Sequence, residues 1–345
     1  AEGAGWGAQV APAGDVDGDG LDELLVGDPA NRRAFLIYGK PYPLGAVLVP
    51  DRPLDGPASG WHTVFTLADG QPLGDFVAPA GDVNHDGYAD LLIGGAGVAY
   101  LILGHGVPWL ASVDAGGEAA AVIDLPKGGR AMGVGDVNGD QYGDWVVTDP
   151  TGGWSEGIGL YLLSGARAFT RGQPRTIGPA SDSLRLAFLP SDQFGLTAVA
   201  ALGDLNGDGL GDFLYSNGSA PRLVLGRDNG DWDVSHEFSG YDPPLNGLLA
   251  APGDVNADGM DDLLLGAGDN RAYLILGRAD WDAQPGVEAT LVGVVGAASV
   301  PLVGDADLNG DGSADLLLLP GPAGIRYWHP TSSMDAARSG HTATL

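Results

Sequence analysis

The chain has 345 residues, 44% of them apolar, with 59 glycines, 24 prolines and no cysteine. That apolar content supports one large domain or two ordinary ones and is too high for an acidic disordered tail. The glycine and proline density argues against a mainly helical protein and for short strands joined by turns. Sixteen Lys and Arg stand against 45 Asp and Glu, a formal charge of −29, which repels phosphate backbones and anionic membranes and disfavours nucleic-acid binding. No apolar run approaches the ~20 residues of a membrane span, so membrane insertion is not expected. Without cysteine there are no disulfides, zinc–thiolate sites or thiol catalysis. Ala1-Glu2-Gly3 has neither a basic nor an apolar leader segment, so a signal peptide is expected to be absent or already removed.

In chain order the dominant feature is a repeat. Gly14-Asp15-Val16-Asp17-Gly18-Asp19-Gly20 leading into Glu23-Leu24-Leu25-Val26-Gly27 recurs with loops beginning at Asp82, Asp136, Asp204, Asp254 and Asp307. Successive spacings are 67, 54, 68, 50 and 53 residues, and the interval from Asp307 through Leu345 and on from Ala1 to Asp15 is again 53. Six units with nothing left over are what a closed ring requires. A short run such as Phe76–Ala80 or Thr197–Ala201 precedes the acidic segment, and an apolar run such as Leu91–Ile93, Trp145–Val147, Leu263–Leu265 or Leu316–Leu319 follows it. A third run comes after a glycine-rich turn (Phe35–Tyr38, Tyr100–Leu103, Leu160–Leu163, Leu223–Leu225, Tyr273–Leu276) and a more polar fourth closes the unit (Thr63–Leu67, Ala121–Leu125, Glu288–Val292). Runs this short between glycines predict strands. The reading is an all-β, six-bladed propeller with four antiparallel strands per blade, a single domain over 1–345, and a loop between strands 1 and 2 of each blade. His341–Leu345 is expected to complete the last blade.

The acidic loop reads Asp-x-Asp/Asn-x-Asp-Gly-x-x-Asp. Side-chain oxygens at positions 1, 3, 5 and 9, with a backbone carbonyl at 7, form the hard-oxygen set that Ca²⁺ takes. The expected ligands are Asp15, Asp17, Asp19 and Glu23; Asp82, Asn84, Asp86 and Asp90; Asp136, Asn138, Asp140 and Asp144; Asp204, Asn206, Asp208 and Asp212; Asp254, Asn256, Asp258 and Asp262; and Asp307, Asn309, Asp311 and Asp315. Up to six Ca²⁺ would thus engage 19 of the 45 acids and move the charge from −29 to −17. The glycine at position 6 permits the sharp turn, so Gln141, which replaces it in the third loop, is expected to take a strained backbone angle there. An EF-hand would need flanking helices and a carboxylate at position 12. Position 12 is instead Val26, Ile93, Val147, Tyr215, Leu265 or Leu318, so the loop feeds a buried strand. A set of metal-free Asx turns is the competing reading.

This pattern resembles the FG-GAP repeat of integrin α-subunit propellers and their bacterial relatives. The aromatic-glycine pair of that family is matched by Trp6-Gly7 and Phe194-Gly195, with Met132-Gly133 as a variant. The later turn is matched by Gly27-Asp28-Pro29, Gly95-Ala96-Gly97 and Gly266-Ala267-Gly268. Six blades that all carry a loop depart from the seven of integrins, where only some do. The resemblance implies that the ions are structural and lie on the face opposite the ligand face.

Other motifs carry less. Gly153-Trp154-Ser155-Glu156-Gly157 matches a nucleophile elbow but sits between strands 2 and 3, not at a strand-to-helix turn. The six histidines (62, 85, 105, 236, 329, 341) form no motif. Tyr42, Trp109, Trp232 and Trp281 follow third strands and read as inter-blade packing, with sugar stacking the alternative. Connections 2–3 and 4–1 are expected to share a rim carrying Arg32, Arg33, Arg130, Arg222 and Arg271, which balance local charge or meet an acidic ligand. The leading functional expectation is a non-catalytic, calcium-stabilised binding or adhesion module for a protein or glycan ligand. It is expected to be monomeric and secreted or at the cell surface, where calcium of ~10⁻³ M fills weak oxygen sites. A polysaccharide lyase or hydrolase, or a structural module of a larger surface protein, are the alternatives.

Overall fold

The computed structural model describes residues 7, 9–39, 62–95, 97–107, 109, 111–153, 158–178, 185–190, 198–216, 221–230, 232, 235–237, 245–267, 272–281, 302–306, 315–318, 326–328 and 342–344. The chain is all-β, and its described residues form six mainly antiparallel sheets. The one α-helix among the described residues, Ala115–Glu118, has four residues, and none is long and apolar enough to cross a membrane. Two compact units are distinguished, Ala1–Gly133 with Gln141–Pro190, and Val134–Asp140 with Ser191–Leu345.

In the first unit, strands Gln9–Gly14, Glu23–Asp28, Arg33–Ile37 and His62–Thr66 lie side by side in chain order. The second sheet repeats this with Phe76–Gly81, Asp90–Gly95, Val98–Ile102 and Ala121–Asp124. The third holds Asp144–Asp149, Gly159–Leu163 and Arg185–Pro190; the strand Ala131–Gly135, ahead of them in the chain, runs over the division between the units. The first two sheets also gain a fifth strand absent from the sequence reading. Ser112–Asp114, from the connection between the third and fourth strands of the next repeat, pairs parallel with His62–Thr66. Arg175–Ile177 does the same on Ala121–Asp124. Each outer edge is thereby covered by the neighbouring repeat, which removes a template for edge-to-edge association.

In the second unit, Ala198–Gly203, Asp212–Ser216, Arg222–Val224 and Ser235–Glu237 form a four-stranded sheet. Leu245–Gly253, Asp262–Ala267 and Ala272–Ile275 form a three-stranded one; the expected fourth run at Glu288–Val292 lies outside the described residues. Leu302–Ala306, Asp315–Leu318, Arg326–Trp328 and Thr342–Thr344 make the last sheet, so the C-terminal run is its fourth strand as expected.

The first strand of a repeat ends in a register shift against the second, as at Pro12/Gly14, Pro79/Gly81 and Ala201/Gly203. The glycine just before the loop has a left-handed φ of 72°, 76° or 73° there, the geometry of a glycine bulge. A Cβ on Gly14 would lie 2.7 Å from that of Ala89, so the bulge also lets the next loop approach.

Core residues fall between adjacent sheets. Leu91 packs among Leu25, Leu36 and Phe65 of the first sheet, and Trp145 among Ala80, Leu92 and Leu101 of the second. Leu24, at the same position in the first sheet, is 41% exposed. Adjacent repeats also share two backbone bonds. In the first unit Ala89 N–H donates to the Asp15 carbonyl (2.9 Å) and His105 N–H to that of Val16 (2.9 Å). Gly143 and Ala166 do likewise to Asp82 and Val83 (2.7 and 2.8 Å). In the second unit Gly211 and Arg227 donate to Asp136 and Val137 (2.7 Å each), and Asp261 and Arg278 to Asp204 and Leu205 (2.9 Å each).

Candidate metal centre

The loop is organised by its first carboxylate. One oxygen of Asp15, Asp82, Asp136, Asp204 and Asp258's partner Asp254 accepts the position-5 N–H at 3.0–3.1 Å. The other accepts the N–H of Gly20, Gly87, Gly209 or Gly259 at 2.8–2.9 Å. The position-3 oxygen also takes the position-5 N–H, at 2.9–3.3 Å. The position-5 carboxylate then takes the N–H of Leu21, Tyr88, Leu210 or Met260. Such wrapping needs left-handed residues at position 6, and Gln141 adopts φ 72° as the sequence demanded. Position 4 is left-handed too, which the sequence reading did not anticipate. His85 and Ala257 stand there at φ 55° and 56° beside glycines in the other described loops.

The wrapping gathers oxygens. Asp15, Asp17 and Asp19 each place a carboxylate oxygen within 4.8 Å of the others. With Asn at position 3, the amide nitrogen also donates to the position-5 carboxylate, at 2.8–2.9 Å for Asn84, Asn206 and Asn256, while the amide oxygen accepts the position-5 N–H. A compact set of hard, partly anionic oxygens repels itself unless a cation joins it, and its chemistry fits Ca²⁺. Asp307, Asn309 and Asp311 lie outside the described residues; Asp315 begins a strand.

Position 9 differs from the other three. Asp90, Asp144, Asp212 and Asp262 have no exposed surface, and Glu23 is 3% exposed. Glu23, Asp90, Asp212 and Asp262 each bridge two backbone amides. One carboxylate oxygen of Glu23, Asp90, Asp212 and Asp262 accepts the position-2 N–H at 2.8 Å. The other accepts the N–H of a glycine just past the third strand: Gly39 (3.1 Å), Gly104 (2.7 Å), Gly226 (2.7 Å) or Gly277 (2.8 Å). Asp144 meets Gly165 in the same way at 3.0 Å. Burial pushes the carboxyls of Glu23, Asp212 and Asp262 up to about 7, against the pull of these amides and with added repulsion from nearby loop acids. Asp90 is raised for the same reasons. A carboxylate so placed binds a proton or a cation readily, and a cation would lower it again.

Elsewhere the expected rim takes partial form. Arg32, itself left-handed, donates from Nη1 to the Gly70 carbonyl (2.9 Å), joining a 2–3 to a 4–1 connection. Arg33 Nε pairs with buried Asp28 at 2.9 Å, so this cation balances local charge. Arg130 reaches Gln9 at 3.4 Å and lies over the Phe76 ring. Arg271, Tyr42 and residues 154–157 of the elbow-like string lie outside the described residues. Trp109 is buried edge-on against Phe65 of the preceding sheet and donates to Glu118 at 2.9 Å; Trp281 reaches the Leu205 carbonyl at 3.3 Å. Both serve inter-sheet packing.

No family model matches the sequence. Integrin alpha-PS5 of Drosophila melanogaster is 27% identical over 192 residues, 50% of this chain and 18% of that protein. Integrin alpha-PS2 of the same organism is 36% identical over 104 residues, 27% of this chain and 7% of that one. The chain thus spans less than a fifth of either relative and has an integrin-α-like, FG-GAP-type relationship to both. Among solved structures, BBS1N in complex with ARL6DN, soaked with mercury, aligns over 97% of this chain and 80% of its own with a TM-score of 0.50 and 10% identity. That likeness concerns the fold alone and agrees with a β-propeller.

Proposed function

We propose that the chain is a calcium-stabilised binding module: one six-bladed propeller over residues 1–345 whose acidic loops each hold Ca²⁺ between the first and second strands. The observation that carries this reading is the loop itself, in which the position-1 carboxylate and the position-3 oxygen both hold the position-5 N–H in all five described copies. Positions 1, 3 and 5 supply side-chain oxygens, position 7 a carbonyl, and the buried acid at position 9 closes the loop against the third strand. The loop ions are structural, and the binding face is the opposite rim, where Arg32 links connections 2–3 and 4–1.

The ligand is a protein. Integrin α chains are among its sequence relatives, and one structure of similar fold, BBS1N, was solved in complex with ARL6DN. Millimolar calcium outside the cytosol fills weak oxygen sites, which favours a secreted or surface-exposed setting. The test is to screen the immobilised chain against cell-surface proteins and glycans, in calcium and in EDTA. Capture of defined proteins that is lost in EDTA supports the reading. Capture of glycans alone, or turnover of a polysaccharide, overturns it.

A further inference from the structure

We propose that the acidic loops of adjacent repeats are energetically coupled, so that a cation in one loop strengthens binding in the next. The inference rests on the reading of the loops as cation sites. Asp15 offers its side chain to the first loop while its carbonyl holds the Ala89 N–H of the second. Ala89 lies between Tyr88, whose carbonyl is the expected position-7 donor, and Asp90. Asp204 and Asp261 repeat this link between the fourth and fifth loops, where the Asp261 carboxylate also accepts the Asp204 N–H at 2.8 Å.

A second contact runs alongside. The Tyr88 ring lies over Gly18 so closely that a Cβ there would come within 2.6 Å of it. Met260 lies over Gly207, where a Cβ would come within 3.2 Å. In the next pair His85 stands at position 4, and its ring meets that of Tyr142 edge-on at 6.0 Å. The position-7 residue therefore serves two loops, its backbone in its own and its side chain on the preceding one.

A cation that orders one loop fixes the carbonyl and the surface against which the next must be ordered. The next loop then has less conformational freedom left to lose on binding, which is positive cooperativity without any change of fold. By linkage the effect is reciprocal.

The test is peptide-resolved hydrogen–deuterium exchange on the full chain across a calcium titration, reading the midpoint of protection for each loop. In Asp19→Asn the midpoint for residues 82–90 should rise about fivefold or more, the range of typical site–site coupling, while that for 254–262 stays in place. Tyr88→Ala leaves every carboxylate intact and should raise the midpoint for residues 15–23, a segment it does not alter. An unmoved 82–90 midpoint in Asp19→Asn, or equal shifts in 82–90 and 254–262, overturns the coupling while leaving the cation sites standing. No calcium-dependent protection in the unmodified chain overturns both.

Discussion

Replacing Asp212 by alanine isolates what the buried position-9 acids do apart from any ion. The carboxylate has no exposed surface and accepts Leu205 N–H at 2.8 Å and Gly226 N–H at 2.7 Å. Alanine strands both amides beneath the sheet, where water does not replace the lost acceptor. Each such loss costs about 1–3 kcal/mol, so the pair costs roughly 2–6 kcal/mol, partly offset by removing a carboxylate that burial disfavours. The assay is thermal and urea unfolding followed by tryptophan fluorescence, in calcium and in EDTA. A drop of more than about 5 °C should persist in EDTA, because the stranded amides do not depend on the cation. Equal melting of Asp212→Ala and the parent in EDTA, with all loss confined to calcium, would refute the bridging role and leave Asp212 a ligand only.

Other outcomes follow from the same geometry. Gln141→Gly and Ala257→Gly relieve left-handed angles of 72° and 56° and should each stabilise by about 1 kcal/mol in chemical denaturation. His85→Gly should gain less, because it forfeits the Tyr142 contact. The carboxyls of Asp212 and Asp262, raised by burial to about 7 in the native chain, ionise near 4 when unfolded. Between those values the native state holds more protons, so stability in EDTA should fall as pH rises from 5 to 8. In saturating calcium, protons compete with the ion and the trend should flatten or reverse; a flat profile in EDTA would contradict this. Trp109→Ala removes an aromatic buried against Phe65 and should cost about 3–5 kcal/mol in urea unfolding.

Much of this was legible in the sequence because it is periodic. The loops, the aliphatic strands on either side and the terminal strand at Thr342–Thr344 follow from spacing and short apolar runs. Ser112–Asp114 and Arg175–Ile177 were not legible, since three residues carry no period and their pairing depends on the neighbouring repeat. Likewise Gly7 and Gly74 both donate to a glycine at the end of the second strand, Gly27 and Gly94, at 3.2 and 2.9 Å. The partner of Trp6-Gly7 in the second repeat is thus Leu73-Gly74, which no aromatic marks; Met132-Gly133 lies within a strand. The acid at position 9 looks in sequence like any other ligand. Only its burial and its reach to a glycine some fifteen residues onward, as from Asp262 to Gly277, reveal a bridge.

The claim that cations hold these loops is tested most directly by melting the chain in calcium and in EDTA while counting bound ions by native mass spectrometry. At ten times its Kd each ion adds about 1.4 kcal/mol, so six would contribute roughly 8 kcal/mol, comparable to the net stability of a domain. Six bound calcium ions and a large fall in Tm on chelation are expected. A chain that carries no calcium and melts at the same temperature in both buffers would contradict the claim.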